Sequence, residues 1–157
     1  MRFSLEDKGP AIELAPEVLA TFRRFRQYRC TDREAGGQLF AVFQGNDTII
    51  VDAKPPNKKD KRTRYSFVPD RNRQQTEIRE MYAKGFHYVG DWHTHPEPVP
   101  FPSELDLSSM QDSILKSSHG LQAFILIILG TSLGPDGIFM ALVYRNGEYA
   151  SLRCEDQ

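Results

Sequence analysis

Gly90-Asp91-Trp92-His93-Thr94-His95-Pro96, running on to Phe101-Pro102-Ser103-Glu104-Leu105-Asp106, is the stretch whose reading decides the rest of the chain. Two histidines stand at i and i+2, seven residues follow, then Ser-x-x-Asp. The run from Phe86 to Trp92 is mostly apolar, β-branched or aromatic, which reads as a buried strand. On a strand, residues i and i+2 face the same way, so both imidazoles aim at one spot. Pro96, Pro98, Pro100 and Pro102 end the strand and hold off a helix until Ser103. The intervening loop is long enough to fold back and deliver Asp106. Two histidines, an aspartate and an open position form the ligand set of a catalytic zinc rather than a structural one. Ser103-x-x-Asp106 also reads as a helix start, with Ser103 as N-cap and an acid in the first turn. The two readings are compatible, because a helix start there would hold Asp106 rigidly.

At this point the chain resembles a family. His-x-His, seven residues, Ser-x-x-Asp is the signature of the JAMM (JAB1/MPN/Mov34) metalloproteases. That family also uses an upstream glutamate followed by Gly-Gly at the start of a strand, and Glu34-Ala35-Gly36-Gly37-Gln38-Leu39 is similar to that element. The resemblance implies zinc held by His93, His95 and Asp106, Glu34 as general base, and the Ser103 hydroxyl as donor to the oxyanion. It implies an α/β (α+β) fold with a curved, mixed, mainly antiparallel sheet flanked by helices, of the cytidine-deaminase-like type. It also implies hydrolysis of a peptide or isopeptide bond after the C-terminus of a ubiquitin-like protein. The Gly-Asp-Trp-His-Thr-His-Pro-Glu wording is similar to that of JAB-domain proteins encoded beside E1-like and E2-like enzymes in bacterial antiviral operons of the CBASS type. Such a protein would remove a conjugate made by those partners. Two other readings stay open: a peptidase processing a ubiquitin-like sulfur-carrier protein, and a noncatalytic scaffold. Scaffold members lack ligands, and no ligand position is empty here. The DNA-associated branch reads His-Asn-His, whereas Thr94 stands between the histidines here.

Composition bounds the rest. The 157 residues suit one domain, 1–157, large enough to bury a core, and a net charge of −1 argues against a surface built throughout for nucleic acid. Residues 1–8 are charged and lack an apolar centre, so no signal peptide is read there, and Ala123 to Leu129 is too short to cross a bilayer. Cys30 and Cys154 lack metal-ligand spacing and read as free thiols of a cytoplasmic protein.

Working outward, Ala11 to Leu14 suggests a first strand. Pro16 to Arg29 suggests an amphipathic helix with Val18, Leu19, Phe22 and Phe25 inside and Arg23, Arg24 and Arg26 solvated. Hairpin strands are expected over 38–43 and 48–53, joined by Gly45-Asn46-Asp47. Residues 54–64 carry Lys54, Lys58, Lys59, Lys61, Arg62 and Arg64. Such a run is ordinarily a solvated loop; the alternative is a docking edge for an acidic partner or a weak nucleic-acid contact. A strand at 65–68 precedes a helix over 71–84, capped by Asp70, with Gln74, Ile78, Met81 and Tyr82 inward. His87 reads as packed, Trp92 and Pro96 as shaping residues, and Asp91 as either supporting the ligands or plain surface. A third helix over 103–117 carries Asp106, Met110 and Ile114 on one stripe. A central strand follows at 122–130, then strands at 138–145 and 148–152. The expected sheet has about six to eight strands.

Overall fold

The structure is a computed structural model and describes residues 1–6 and 9–155. In chain order the elements are β1 (Arg2–Ser4), β2 (Ala11–Leu14), α1 (Pro16–Phe25), β3 (Gly36–Gln44), β4 (Asp47–Ala53), β5 (Lys61–Arg62), β6 (Phe67–Val68) and α2 (Arg71–Ala83). Then come β7 (His87–Thr94), α3 (Glu104–Lys116), β8 (Ala123–Leu129), β9 (Ile138–Tyr144), β10 (Tyr149–Ser151) and β11 (Arg153–Cys154), with a 3-10 turn at Pro135–Gly137.

Nine strands form one sheet in the order β10-β9-β8-β7-β3-β4-β2-β1-β11, and β5 pairs with β6 as a separate ribbon. Only β2–β4 and β7–β8 are parallel; the other pairs are antiparallel. The two edge strands, β10 and β11, are separated in sequence by Leu152 alone, whose N–H donates to the Met140 carbonyl at 2.8 Å. A sheet whose opposite ends meet across one residue must curl almost into a closed barrel, as strand twist favours.

This curl creates two apolar layers. Inside it, Val18 and Phe22 of α1 pack with Leu39, Ile50, Val89, Trp92, Ile127 and Met140. Outside it, Met110 and Ile114 of α3 pack on Phe124, Leu126, Ile128 and Val143. The continuous apolar run of β8 follows from this, since its residues feed both layers.

Several expectations are corrected. The first helix stops at Phe25 rather than Arg29. Arg26 is buried, 6% exposed, not solvated. Its Nη1 donates to the carbonyls of Gly130 (2.6 Å), Ser132 (2.5 Å) and Gly137 (3.0 Å), and reaching them turns the backbone out of the helix. Tyr82, expected inside α2, is 69% exposed, and Met81 is that helix's buried residue. The short strands β1 and β11 add to the count, and the strand expected at 65–68 begins at Phe67 because Tyr65 lies in the turn of the ribbon. Asp70 does cap α2, its Oδ1 accepting from Arg73 N at 3.1 Å. Cys30 and Cys154 are free.

Candidate metal centre

The site forms where β7 ends and α3 begins. A bulge at Gly90 sets its phase: the register against β3 shifts between Leu39 and Phe40, and Gly90 takes a φ of 153°. A side chain there would run into the Ile125 backbone. Because of the bulge, Tyr88 and Asp91 share a face, with the Tyr88 hydroxyl donating to Asp91 Oδ1 at 2.9 Å. From Asp91 onward the alternation is regular. Asp91, His93 and His95 face the cleft beside α3, while Trp92 and Thr94 face the interior. His87 falls out of phase with His93. It is exposed rather than packed and rests against Phe43 and Tyr82 at 5.3 and 5.9 Å.

The five residues expected at the site line one cleft of about 770 Å³: Glu34, His93, His95, Ser103 and Asp106. His93 Nε2 and His95 Nε2 are 3.1 Å apart. Asp106 Oδ1 is 3.3 Å from the first and Oδ2 is 3.4 Å from the second. Donors in a tetrahedral shell with bonds of about 2.0–2.1 Å are separated by about 3.3–3.4 Å, and these spacings are close to that, with Asp106 turning a different oxygen to each ring. The donor set therefore fits a divalent ion.

The surrounding chain holds each donor. Ser103 and Asp106 form a capping box: Asp106 N donates to Ser103 Oγ at 3.1 Å, and Ser103 N donates to Asp106 Oδ2 at 2.8 Å. The accepting lone pair of Ser103 Oγ is thus engaged while its hydroxyl proton stays available to the cleft. Glu97, a residue not singled out from sequence, accepts from His95 Nδ1 at 3.1 Å and from Phe101 N at 3.1 Å. With the proton on Nδ1, His95 presents the Nε2 lone pair to the centre. Its position two residues after the second histidine, across Pro96, was the available signal.

Glu34 arrives from the opposite side. It is 6% exposed, and its side-chain oxygen and the histidine nitrogens lie within 4.8 Å of one another. Its backbone is clamped by Thr94, the residue between the histidines. Thr94 Oγ1 accepts from Ala35 N at 2.9 Å and donates to Gln27 Oε1 at 2.8 Å, and Thr94 N donates to Ala35 O at 2.8 Å. Gly36 lies opposite His93, and a Cβ there would meet the Phe67 ring at 2.8 Å, so the β5–β6 ribbon closes over it. Trp92 shapes the site from beneath. It packs on Phe22 at 5.2 Å and its Nε1 donates to Lys54 O at 3.0 Å.

The two acids near the histidines are set apart electrostatically. Burial pushes Glu34 up to about 7, partly offset by His95 and reinforced by Asp106. Burial would also raise Asp106, but hydrogen bonds from His93, His95 and the Ser103 backbone hold it far below the usual carboxylate range. Burial lowers His95, yet Asp106 and Glu97 outweigh it and raise its pKa. Desolvation of the half-buried Asp91 pushes it up to about 6 against the opposing Tyr88 hydrogen bond and Arg71. Glu34 also lies in a cluster with His93 and His95 that could itself hold a metal ion. The two acids thus differ in character: Asp106 is held ionised beside both imidazoles, whereas Glu34 is poised to exchange a proton near neutrality.

Comparison with known proteins adds a second line of evidence. Residues 17–143 match the family described as prokaryotic homologs of the JAB domain. The chain is 30% identical over 149 residues to a CD-NTase/cGAS isopeptidase of Pseudomonas aeruginosa (strain BWHPSA011 / Pa011), covering 93% of this chain and 91% of that protein. It is 28% identical over 129 residues to one of Escherichia coli (strain TW11681), covering 80% of each. A solution structure of a Desulfitobacterium hafniense protein shares the fold with a TM-score of 0.62 at 23% identity, covering 90% of each chain.

Proposed function

The chain belongs to the prokaryotic JAB-domain homologs, and from that premise we propose a zinc-dependent isopeptidase that hydrolyses the bond joining the C-terminus of a ubiquitin-like protein to its target. The class, a JAB-type hydrolase, follows from the family and from relatives named as isopeptidases. The names of those relatives support a conjugate in a CD-NTase/cGAS setting as substrate; its removal in bacterial antiviral defence is our reading of the resemblance. The observation carrying this reading is the convergence of His93, His95 and Asp106 at 3.1–3.4 Å with Glu34 alongside.

In this reading His93, His95 and Asp106 hold the zinc. When bound, it supplies Lewis acidity, polarising the scissile carbonyl and bringing a water's pKa toward ~7. The chain's own groups do the rest. Glu34, with a pKa of about 7, takes a proton from the attacking water and returns it to the leaving amine. Staying off the metal leaves its carboxylate free for that exchange. Ser103 donates its hydroxyl proton to the oxyanion of the tetrahedral species, from an oxygen already fixed by the capping box. Glu97 keeps His95 in one tautomer, and Thr94 with Gln27 holds the Glu34 segment in reach. The ribbon and the start of α3 both line the cleft, with Tyr65 and Leu105 exposed in it, and in this reading an extended tail lies along it.

The test is cleavage of ubiquitin-like protein–target fusions by the purified protein, with and without a chelator. Chelator-sensitive cleavage directly after the ubiquitin-like C-terminus is expected. Cleavage unaffected by metal removal would contradict the reading.

A further inference from the structure

Resting on the reading of the cleft as a polypeptide site, we infer that the basic surface beside its Glu34 end docks an acidic stretch of the substrate protein. Two segments build this surface: the loop after α1, with Arg29 and Arg33, and the β5–β6 ribbon, with Lys61, Arg62 and Arg64. They are stitched together by the arginines themselves. Arg62 Nε donates to Glu34 O at 2.7 Å and its Nη2 to Arg33 O at 3.4 Å, while Arg64 Nη1 donates to Arg29 O at 3.0 Å. These acceptors are neutral carbonyls, so the guanidinium groups are held in place with their charge uncancelled.

Among the described residues, ion pairs occur elsewhere and none involves these five cations. Two acids lie nearby, Asp32 accepting from Arg29 N and Asp60 from Asn57 N and Asp70 N; Asp60 acts on Arg62 through space, but five positive charges against two negative leave the surface basic. Tyr65, 76% exposed beneath the Arg64 guanidinium, carries the surface directly into the cleft wall.

The kind of polyanion follows from what surrounds the patch. The five cations flank the cleft rather than line it; the lining itself carries Arg71 together with Glu34, Asp91, Glu97 and Asp106. The basic charge is thus a local patch at one end, and the chain's net charge of −1 gives no long-range attraction for a nucleic acid or an anionic membrane, which offer uniform negative charge. A polypeptide can carry acids only where the arginines are.

The experiment is fluorescence anisotropy of the intact protein with a fluorescein-labelled glutamate-rich peptide, against the same peptide with every Glu replaced by Gln. The Glu peptide should bind tighter. Arg29→Glu/Arg33→Glu should weaken it about tenfold or more, and raising salt should weaken it in the wild type but little in the variant. Among the described residues neither side chain makes a hydrogen bond or ion pair, so Tm and metal content should not move. The neutral Arg29→Gln/Arg33→Gln pair should fall between. Equal binding of the two peptides, or of wild type and Arg29→Glu/Arg33→Glu, would overturn the inference. So would a labelled DNA duplex or phosphatidylserine vesicles binding as tightly as the Glu peptide. Binding is read without turnover, so a protein that docks the peptide but cleaves nothing would count against the proposed activity and leave this surface standing.

Discussion

Glu34 and Asp106 are both carboxylates beside the same two histidines, and their surroundings give them opposite characters. Glu34 is raised to about 7 mainly by burial, whereas its ordinary value is 4.5. The native metal-free protein therefore binds this proton more tightly than the unfolded chain does. The destabilisation is absent below pH 4.5, grows as pH rises, and is complete above about 7. Glu34→Gln should accordingly stabilise the metal-free protein at pH 8, by on the order of 3 kcal/mol, with the gain vanishing near pH 4. Thermal melts across pH check this, and a pH-independent difference would contradict it. The same substitution should lower kcat by about 10²–10⁴-fold. At the neighbouring ligand, Glu97→Ala should weaken metal binding by about 10–100-fold, while Glu97→Gln, which still accepts from Nδ1, should lose much less. Chelator competition reads both. Glu97 could not be assigned from sequence because its role depends on where the loop after Pro96 places it. The histidine pair was legible because strand geometry alone puts i and i+2 on one face.

At the scale of elements, the capping box gives α3 two jobs that substitution can separate. Ser103→Gly should cost only a few tenths of a kcal/mol, because glycine is tolerated at an N-cap. It should still lower kcat by about 10²–10³-fold through loss of the oxyanion donor. Unchanged kcat in a folded Ser103→Gly protein would remove that role from Ser103. The start of α3 was readable because Ser-x-x-Asp is local. The end of α1 was not, because Arg26 leaves the helix for carbonyls more than a hundred residues away. Its burial also has a consequence for the centre. The backbone it grips at 130–132 in turn holds the ligand loop, through Thr131 N to Glu97 O at 2.8 Å and Ser132 N to Pro98 O at 3.1 Å. Thr94 likewise looked like a spacer between ligands, and its clamp on Ala35 appears only once β3 and β7 are paired.

Across the whole molecule, the alternation of hairpins and central apolar run implied a mixed sheet, and the structure has one. Its near-closure could not be anticipated: β10 matches the strand expected at 148–152, but β1 and β11, which carry the sheet round to meet it, are too short to show a period. Closure lets one sheet carry a dry interior on one side and a polar cleft on the other, so both histidines sit on a scaffold buried from behind. The free cysteines play no part in this: reductant should leave Tm unchanged, and a clear drop would reveal a disulfide. The central claim is that His93, His95 and Asp106 grip one ion while Glu34 stands off it. Elemental analysis of purified wild type, His95→Ala, Asp106→Ala and Glu34→Gln tests this most directly. About one zinc per chain is predicted in the wild type and in Glu34→Gln, and little in the other two. Zinc kept by Asp106→Ala but lost from Glu34→Gln would exchange the roles of the two acids and contradict the account.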